Sequence, residues 1–337
     1  MSVGQMARGV AALVALVLGW ASCVPLVPRV SVVTADPDTL AELWQEPVDV
    51  SGRDLFHGPG GSALAPDPSA EYTLIAVDRS GYSNGYDVRG PDGRSWSVKL
   101  GIEAQPEVVS SRVLWALGFH QPSVYYLPSW TFSGKEGGRQ PAGRFRAELS
   151  DRRVIGDWSW HDNKFLASRP FKGLIVANLI LNSWDWKESN NKIYELAEQS
   201  TGGRVPRRMY VVRDFGRLLG QDNFSRSSEM AADAGLRSGH AQRPRGILEE
   251  QGFIRKVDDA GVEFDYRGIY GSLVRTVSAD DVRWTCQLMA QISDGQWSDA
   301  FRAAGYGPDQ TERYVAKLKA KIFEGLALTD APLIRAQ

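Results

Sequence analysis

The chain has 337 residues, enough for one large domain or two modest ones with a sizeable core. Its 39 Lys and Arg nearly balance 40 Asp and Glu, so no basic excess points to nucleic acid, whose phosphates need concentrated positive charge. Two cysteines, Cys23 and Cys286, cannot build a disulfide framework, and the four isolated histidines lack metal-ligand spacing, which speaks against a zinc enzyme.

At the N-terminus, Arg8 precedes an apolar run from Val10 to Leu18 and then Gly19-Trp20-Ala21-Ser22-Cys23. A short basic region, an apolar stretch and small residues describe a secretory signal over residues 1–23. The pair Ala21-Ser22 before Cys23 resembles a bacterial lipoprotein signal, in which Cys23 becomes the lipidated first residue, although Trp20 departs from the usual Leu. A single membrane-spanning anchor is the rival, since near-apolar sequence continues to Val27. Pro25 and the short run count against it, because a spanning helix needs ~20 residues. A buried N-terminal helix is the third reading. The expectation is export, with the membrane reached through the N-terminus.

Residues 24–70 are rich in Pro, Gly and Asp and read as a linker and wrapping arm, with one helix near Thr39–Trp44 and a loop at Gly58-Pro59-Gly60-Gly61. From Glu71 the pattern changes to strands at Tyr72–Val77, Asp87–Arg89 and Ser95–Leu100, with a glycine-bearing turn at Gly81–Tyr86 and a tight turn at Pro91-Asp92-Gly93. Pro106 marks the start of a helix carrying Val108, Val109, Val113, Leu114 and Leu117, which Gly118 closes. Tyr125–Leu127 and Arg144–Leu149 are further strands. After about residue 150 helices dominate: Phe171–Asn182 is strongly apolar, and Ser278–Leu328 holds two or three amphipathic helices. Lys192–Leu196 and Met209–Val212 are short strands around a polar turn, Ser200–Pro206. The 11 Trp residues, many in pairs such as Trp158/Trp160 and Trp184/Trp186, read as packing residues. Strands first and helices second predict an α+β chain of two lobes, 71–150 and 151–330.

The chemistry-bearing segments are Asp185-Trp186-Lys187-Glu188-Ser189-Asn190 and, downstream, Asp214-Phe215-Gly216. Both stand beside short apolar strands. Upstream, Trp96-Ser97-Val98-Lys99 is a strand ending in a lysine, and Glu107 lies in the first turn of the next helix, with Glu103 its rival before the proline. Phosphoryl transfer requires these residue types. An Asn and an Asp converge on magnesium, a carboxylate orients the attacking hydroxyl, and a Lys balances developing charge.

On these residues the chain resembles the protein-kinase-like superfamily, in its atypical branch of HipA-like and phosphatidylinositol-kinase-like enzymes. The resemblance spans about residues 71–220. It implies a bilobal kinase-like fold with a small β-rich N-lobe, one main helix and a larger helical C-lobe. It implies an ATP- and magnesium-dependent phosphotransferase acting on a protein or small-molecule hydroxyl. Asp185 is then the base, Lys187 contacts the transferred phosphate, and Asn190 and Asp214 hold Mg2+. Lys99 and Glu107 form the ion pair that positions the nucleotide, and Gly81 and Gly85 belong to a turn over its phosphates, at GxxxG rather than GxGxxG spacing. Ser183-Trp184 replaces the usual His-Arg before the base, no Ala-Pro-Glu follows Asp214, and the Glu107 helix starts unusually soon after Lys99. A catalytically inactive kinase-like scaffold of the cell envelope is the alternative, and nucleotidyl transfer would use similar residues. The C-terminal third, where the phosphate acceptor would be recognised, matches no motif.

If Cys23 is lipidated, Cys23→Ser should release the protein into the soluble fraction on membrane fractionation. An unchanged membrane fraction would favour the spanning anchor.

Overall fold

The computed structural model describes residues 35–78, 85–101, 103–134, 137–183, 186–197, 206–213, 252–258, 261–266 and 268–329. The export segment with Cys23, the Ser200–Pro206 turn apart from Pro206, Gly81, Asp185 and Asp214 lie outside these residues. No described helix is long and apolar enough to cross a membrane.

The chain enters through an arm whose short helix α1 (Pro37–Ala41) is capped by Asp36, which accepts from the Asp38 and Thr39 amides. The arm is part of the core rather than a free linker, for Leu43, Val50 and Leu55 are each at most 2% exposed. Strands β1 (Glu71–Asp78), β2 (Gly85–Arg89) and β3 (Ser95–Leu100) follow as an antiparallel meander. The second turn forms because Asp92 Oδ1 accepts the Arg94 amide at 3.0 Å and Gly93 tolerates its positive φ of 83°. After helix α2 (Ala104–Ala116) come β4 (Val124–Leu127), β5 (Trp130–Ser133), β6 (Gly138–Gln140) and β7 (Gly143–Glu148). They complete a seven-stranded sheet of order β4-β7-β3-β2-β1-β5-β6, in which only β1 and β5 run parallel.

Trp130 of β5 meets Phe145 of β7 with ring centroids 5.3 Å apart, although three strands separate them in the sheet. At ~4.8 Å per strand a flat sheet would hold them almost 20 Å apart. The sheet is therefore curled around an aromatic core of Tyr72, Trp96, Trp130, Phe132 and Phe145.

Beyond the sheet, β8 (Arg152–Asp157), β9 (Asn191–Leu196) and β10 (Arg208–Val212) form a three-stranded antiparallel sheet of order β10-β9-β8. Helix α3 (Arg169–Ile180), capped by Ser168, separates β8 from β9. A hairpin, β11 (Ile254–Asp258) and β12 (Gly261–Phe264), precedes four helices: α4 (Gly271–Val274), α5 (Ala279–Met289), α6 (Asp294–Ala303) and α7 (Pro308–Leu326). Capping boxes at Ser278/Asp281 and Ser293/Gln296 begin α5 and α6. The expected helices of the C-terminal region are present as α5, α6 and α7. After residue 150 helices predominate among the described residues, as expected, and β8 and the β11–β12 hairpin are strands that the sequence pattern did not mark.

Helix α2 is the centre of a second, larger core. Val108, Val109, Val113, Leu114 and Leu117 are fully buried, against the arm and against residues of α3, α5, α6 and α7. The arm clamps the end of α2: Trp44 Nε1 donates to Leu117 O at 2.7 Å, and the Gln45 amide donates to Gly118 O at 3.0 Å. Gln296 of α6 reaches back with its amide to Val50 O and Arg53 O. Arg112 is fully buried beneath the Gly58 loop, where a side chain at 58 would lie 2.1 Å from the guanidinium. It donates to Val124 O at 2.6 Å, and burial pushes its pKa down to about 10.

Gly118 ends α2 in a Schellman arrangement. Its φ is 95°, its amide donates to Trp115 O, and the Phe119 amide donates to Leu114 O. A Cβ there would sit 2.1 Å from Gln45 O. Gly118→Ala should therefore cost about 1–2 kcal/mol from backbone conformation and more from the displaced arm. Thermal unfolding checks this: a melting point unchanged by the substitution would exclude the clamp.

Candidate functional site

Strand β3 alternates between two environments. Trp96 and Val98 point into the aromatic core, while Ser97 and Lys99 take the opposite face. On the neighbouring strand β7, Arg146 pairs with Ser97 and Arg144 pairs with Lys99, so Lys99 and Arg144 stand abreast. On the other side of Lys99, its partner in β2 is Gly85, the last glycine of the glycine-bearing turn. Gly85 is thus brought beside Lys99.

The two cations meet two anions from the beginning of α2. Lys99 Nζ lies 2.8 Å from Glu103 Oε2, and Arg144 Nε lies 2.9 Å from Glu107 Oε1. The expected Lys99–Glu107 pair is corrected by this geometry, since Glu107 is taken by Arg144 and Glu103 stands at the N-cap of α2 beside Lys99. The physical reason is that α2 starts at Ala104, with Pro106 as its third residue. Proline is tolerated there because the first amides of a helix have no intrahelical partner. Glu103 is therefore one turn before Glu107 on the same side of α2.

The two pairs differ in burial. The Glu107 and Arg144 side chains are each 2% exposed, whereas those of Lys99 and Glu103 are 20% and 11% exposed. The buried pair is held by charge and proximity, for neither Glu107 oxygen accepts a hydrogen bond among the described residues. Arg144 also donates to Ser97 O at 3.1 Å, which ties the pair to β3. The Lys99–Glu103 pair is the more accessible of the two.

The second half of the site is built on the three-stranded sheet. Lys187 is exposed, and Glu188–Asn190 form one 3₁₀ turn leading into β9. The β9–β10 register pairs Asn191 with Val212, and the Arg213 amide donates to Asn190 O at 3.1 Å. Asn190 is thereby held against Arg213, the residue that directly precedes Asp214 in the chain. Behind the turn, Asn191 is fully buried and donates to Trp158 O at 3.0 Å.

Trp186 anchors the loop between α3 and β9. It is 2% exposed, stacks on Trp160 with centroids 4.8 Å apart, and donates from Nε1 to Ser183 O at 2.9 Å. Tyr266 also packs against it, with centroids 5.6 Å apart. Burial raises the pKa of that phenol, so it stays protonated and donates to Ile269 O. The packing reading of the tryptophans holds for Trp158, Trp160 and Trp186. Arg144 and the loop-fixing role of Trp186 are the contributions that sequence reasoning missed; their signal was a cation abreast of Lys99 and an aromatic inside the Asp-x-Lys segment.

No family model matches the chain, and no curated protein matches it. Among solved structures it is similar to the crystal structure of a proinflammatory kinase, CtkA, from Helicobacter pylori. That match has 11% sequence identity and a TM-score of 0.42, covering 77% of this chain and 97% of that one.

Removing one member of a buried pair strands the other charge, at about 3–5 kcal/mol, whereas a partly exposed pair contributes about 1 kcal/mol or less. Glu107→Gln should accordingly lower stability to urea far more than Glu103→Gln. Equal losses would show that the two pairs are not ordered as described.

Proposed function

We propose that the chain is a kinase-like phosphotransferase that uses ATP and magnesium to phosphorylate a hydroxyl of a protein or small molecule. The observation that carries the reading is the backbone hydrogen bond from Arg213 to Asn190, which holds the residue before Asp214 against the Asn of the Asp-x-Lys-x-x-Asn segment. Two further features support it. A lysine on the third strand is engaged by an acidic residue at the start of the next helix, and the glycine turn ends beside that lysine.

The donor set fits the implied cofactors. Asn190 and Asp214 carry side-chain oxygens, the ligand type a magnesium ion takes, and Lys99 supplies an ammonium for a phosphate oxygen. Bound ATP would supply the phosphoryl group, with magnesium neutralising its charge. In this reading Glu103 orients Lys99, and Glu107 acts through Arg144 to hold α2 on the sheet rather than contacting the nucleotide. Asp185 takes the proton of the acceptor hydroxyl, and exposed Lys187 balances charge as the phosphoryl group moves. Gly81 and Gly85 let the turn approach the phosphates with backbone amides.

Thermal unfolding of the full chain with and without ATP and magnesium tests this directly. At ~100 times its dissociation constant a ligand adds ~2.7 kcal/mol, a shift of several degrees. The shift should require magnesium, disappear in Asp214→Ala and persist in Asp185→Ala, while Asp185→Ala abolishes transfer. No shift with any nucleotide would leave a scaffold that has lost the chemistry.

A further inference from the structure

A cavity of about 290 Å³ lies where the end of β7 meets the exposed face of the β8–β9–β10 sheet. Three arginines line it: Arg146 from β7, Arg152 from β8 and Arg213 at the end of β10. Glu148 is the one carboxylate among the lining side chains and is exposed; with Asp151, which pairs with Arg152 from outside the lining, the three arginines are left with a net formal charge of +1. Lys99, Glu103 and Asn190 do not line it.

Each guanidinium is braced by a neighbour. Arg152 is held bidentately by Asp151 at 2.7 and 2.9 Å, Arg146 donates to Ser97 Oγ at 3.1 Å, and Arg213 donates to the Tyr194 hydroxyl at 2.9 Å. Bracing reduces the side-chain freedom lost when a ligand binds. A guanidinium presents several N–H groups in a fixed planar fork that matches phosphate oxygens, and it stays charged at any physiological pH. Three arginines against two carboxylates leave an excess of positive charge at this partly open cavity, which favours an anion over an uncharged occupant. Ser123 and Tyr194 add hydroxyls to the same lining.

We infer that this cavity is a binding subsite for a phosphate-bearing small molecule. The subsite stands on its own residues and does not depend on the phosphotransferase reading. That reading enters only in the source of the phosphate, which is either the nucleotide's own phosphates or a separate phosphorylated compound.

The test is calorimetric titration of the full chain with pyrophosphate at low salt. The parent should bind, with affinity falling as salt rises. The Arg146→Gln/Arg152→Gln double variant should bind at least tenfold more weakly. Glu148→Gln should bind more tightly, a gain that a misfolded variant would not produce. Absence of binding by the parent, or equal affinity in all three proteins, overturns the subsite. Competition between pyrophosphate and ATP with magnesium assigns the phosphate to the nucleotide, and independent binding assigns it to a second compound. Failure of the phosphotransferase reading would register separately, as an ATP response indifferent to Asp214→Ala, with the pyrophosphate response intact.

Discussion

Four charges at the start of α2 are the constraint on which the rest of the candidate site depends. Lys99 and Arg144 are cross-strand partners, so their side chains leave the sheet side by side. Like charges in that position repel by several tenths of a kcal/mol or more unless each is neutralised. Glu103 and Glu107, one helical turn apart, have the spacing to meet them one for one. A slip of α2 by one turn would leave one buried cation bare. The arrangement thus acts as a register lock. Buried ion pairs add little net stability when compared with an apolar core, yet they penalise the wrong alignment heavily. The lock also decides which glutamate reaches Lys99.

From this lock a continuous path leads to the other half of the site. Helix α2 ends at Gly118, whose left-handed turn redirects the chain toward β4. Three residues on, Gln121 is 8% exposed and donates its amide to Val212 O on β10. Trp158 Nε1 donates to the adjacent Val211 O. The next residue after Val212 is Arg213, bound to Asn190. The distance between the lysine strand and the Asn190 turn is therefore governed by a helix, a turn and one strand, each fixed by buried contacts. The arm contributes by covering the far side of α2, so that the helix cannot tilt away from the sheet without exposing Leu43, Val50 and Leu55.

Much of this was legible beforehand because it obeys local rules. Strand β3 has the predicted bounds, and the spacing of Val108, Val109, Val113, Leu114 and Leu117 marks the buried face of α2. The closing role of Gly118 follows from chemistry that only glycine tolerates. What was not legible depended on partners distant in sequence. Strand β8 carries Val154 and Ile155 at 48% and 39% exposure, since it is a sheet edge, and it lacks the alternation that marks a half-buried strand. The β5–β6 hairpin alternates Trp130, Thr131 and Phe132 correctly, but its membership of the sheet arises from the parallel pairing with β1, some sixty residues earlier. The identity of the Lys99 partner turned on whether α2 begins before or after Pro106. Sequence alone favours a start at the proline, and only the competition of Arg144 for Glu107 settles the matter.

The same competition explains why the polar groups of the site divide into two kinds. Glu107, Arg144, Asn191 and Trp186 are almost fully enclosed: Glu107 and Arg144 face each other as an ion pair, while Asn191 and Trp186 each donate to a backbone carbonyl. Lys99, Lys187 and Asn190 are more accessible and lie immediately beside an enclosed residue in space or in sequence. An accessible lysine or asparagine alone would sample many rotamers and lose that entropy on meeting a ligand. Seated next to a rigid neighbour, each keeps its reach while its backbone is fixed. Trp186 illustrates the division most clearly, because it occupies the position between Asp185 and Lys187 and is stacked into an aromatic core. The loop thus carries a buried, stacked residue directly before the exposed Lys187.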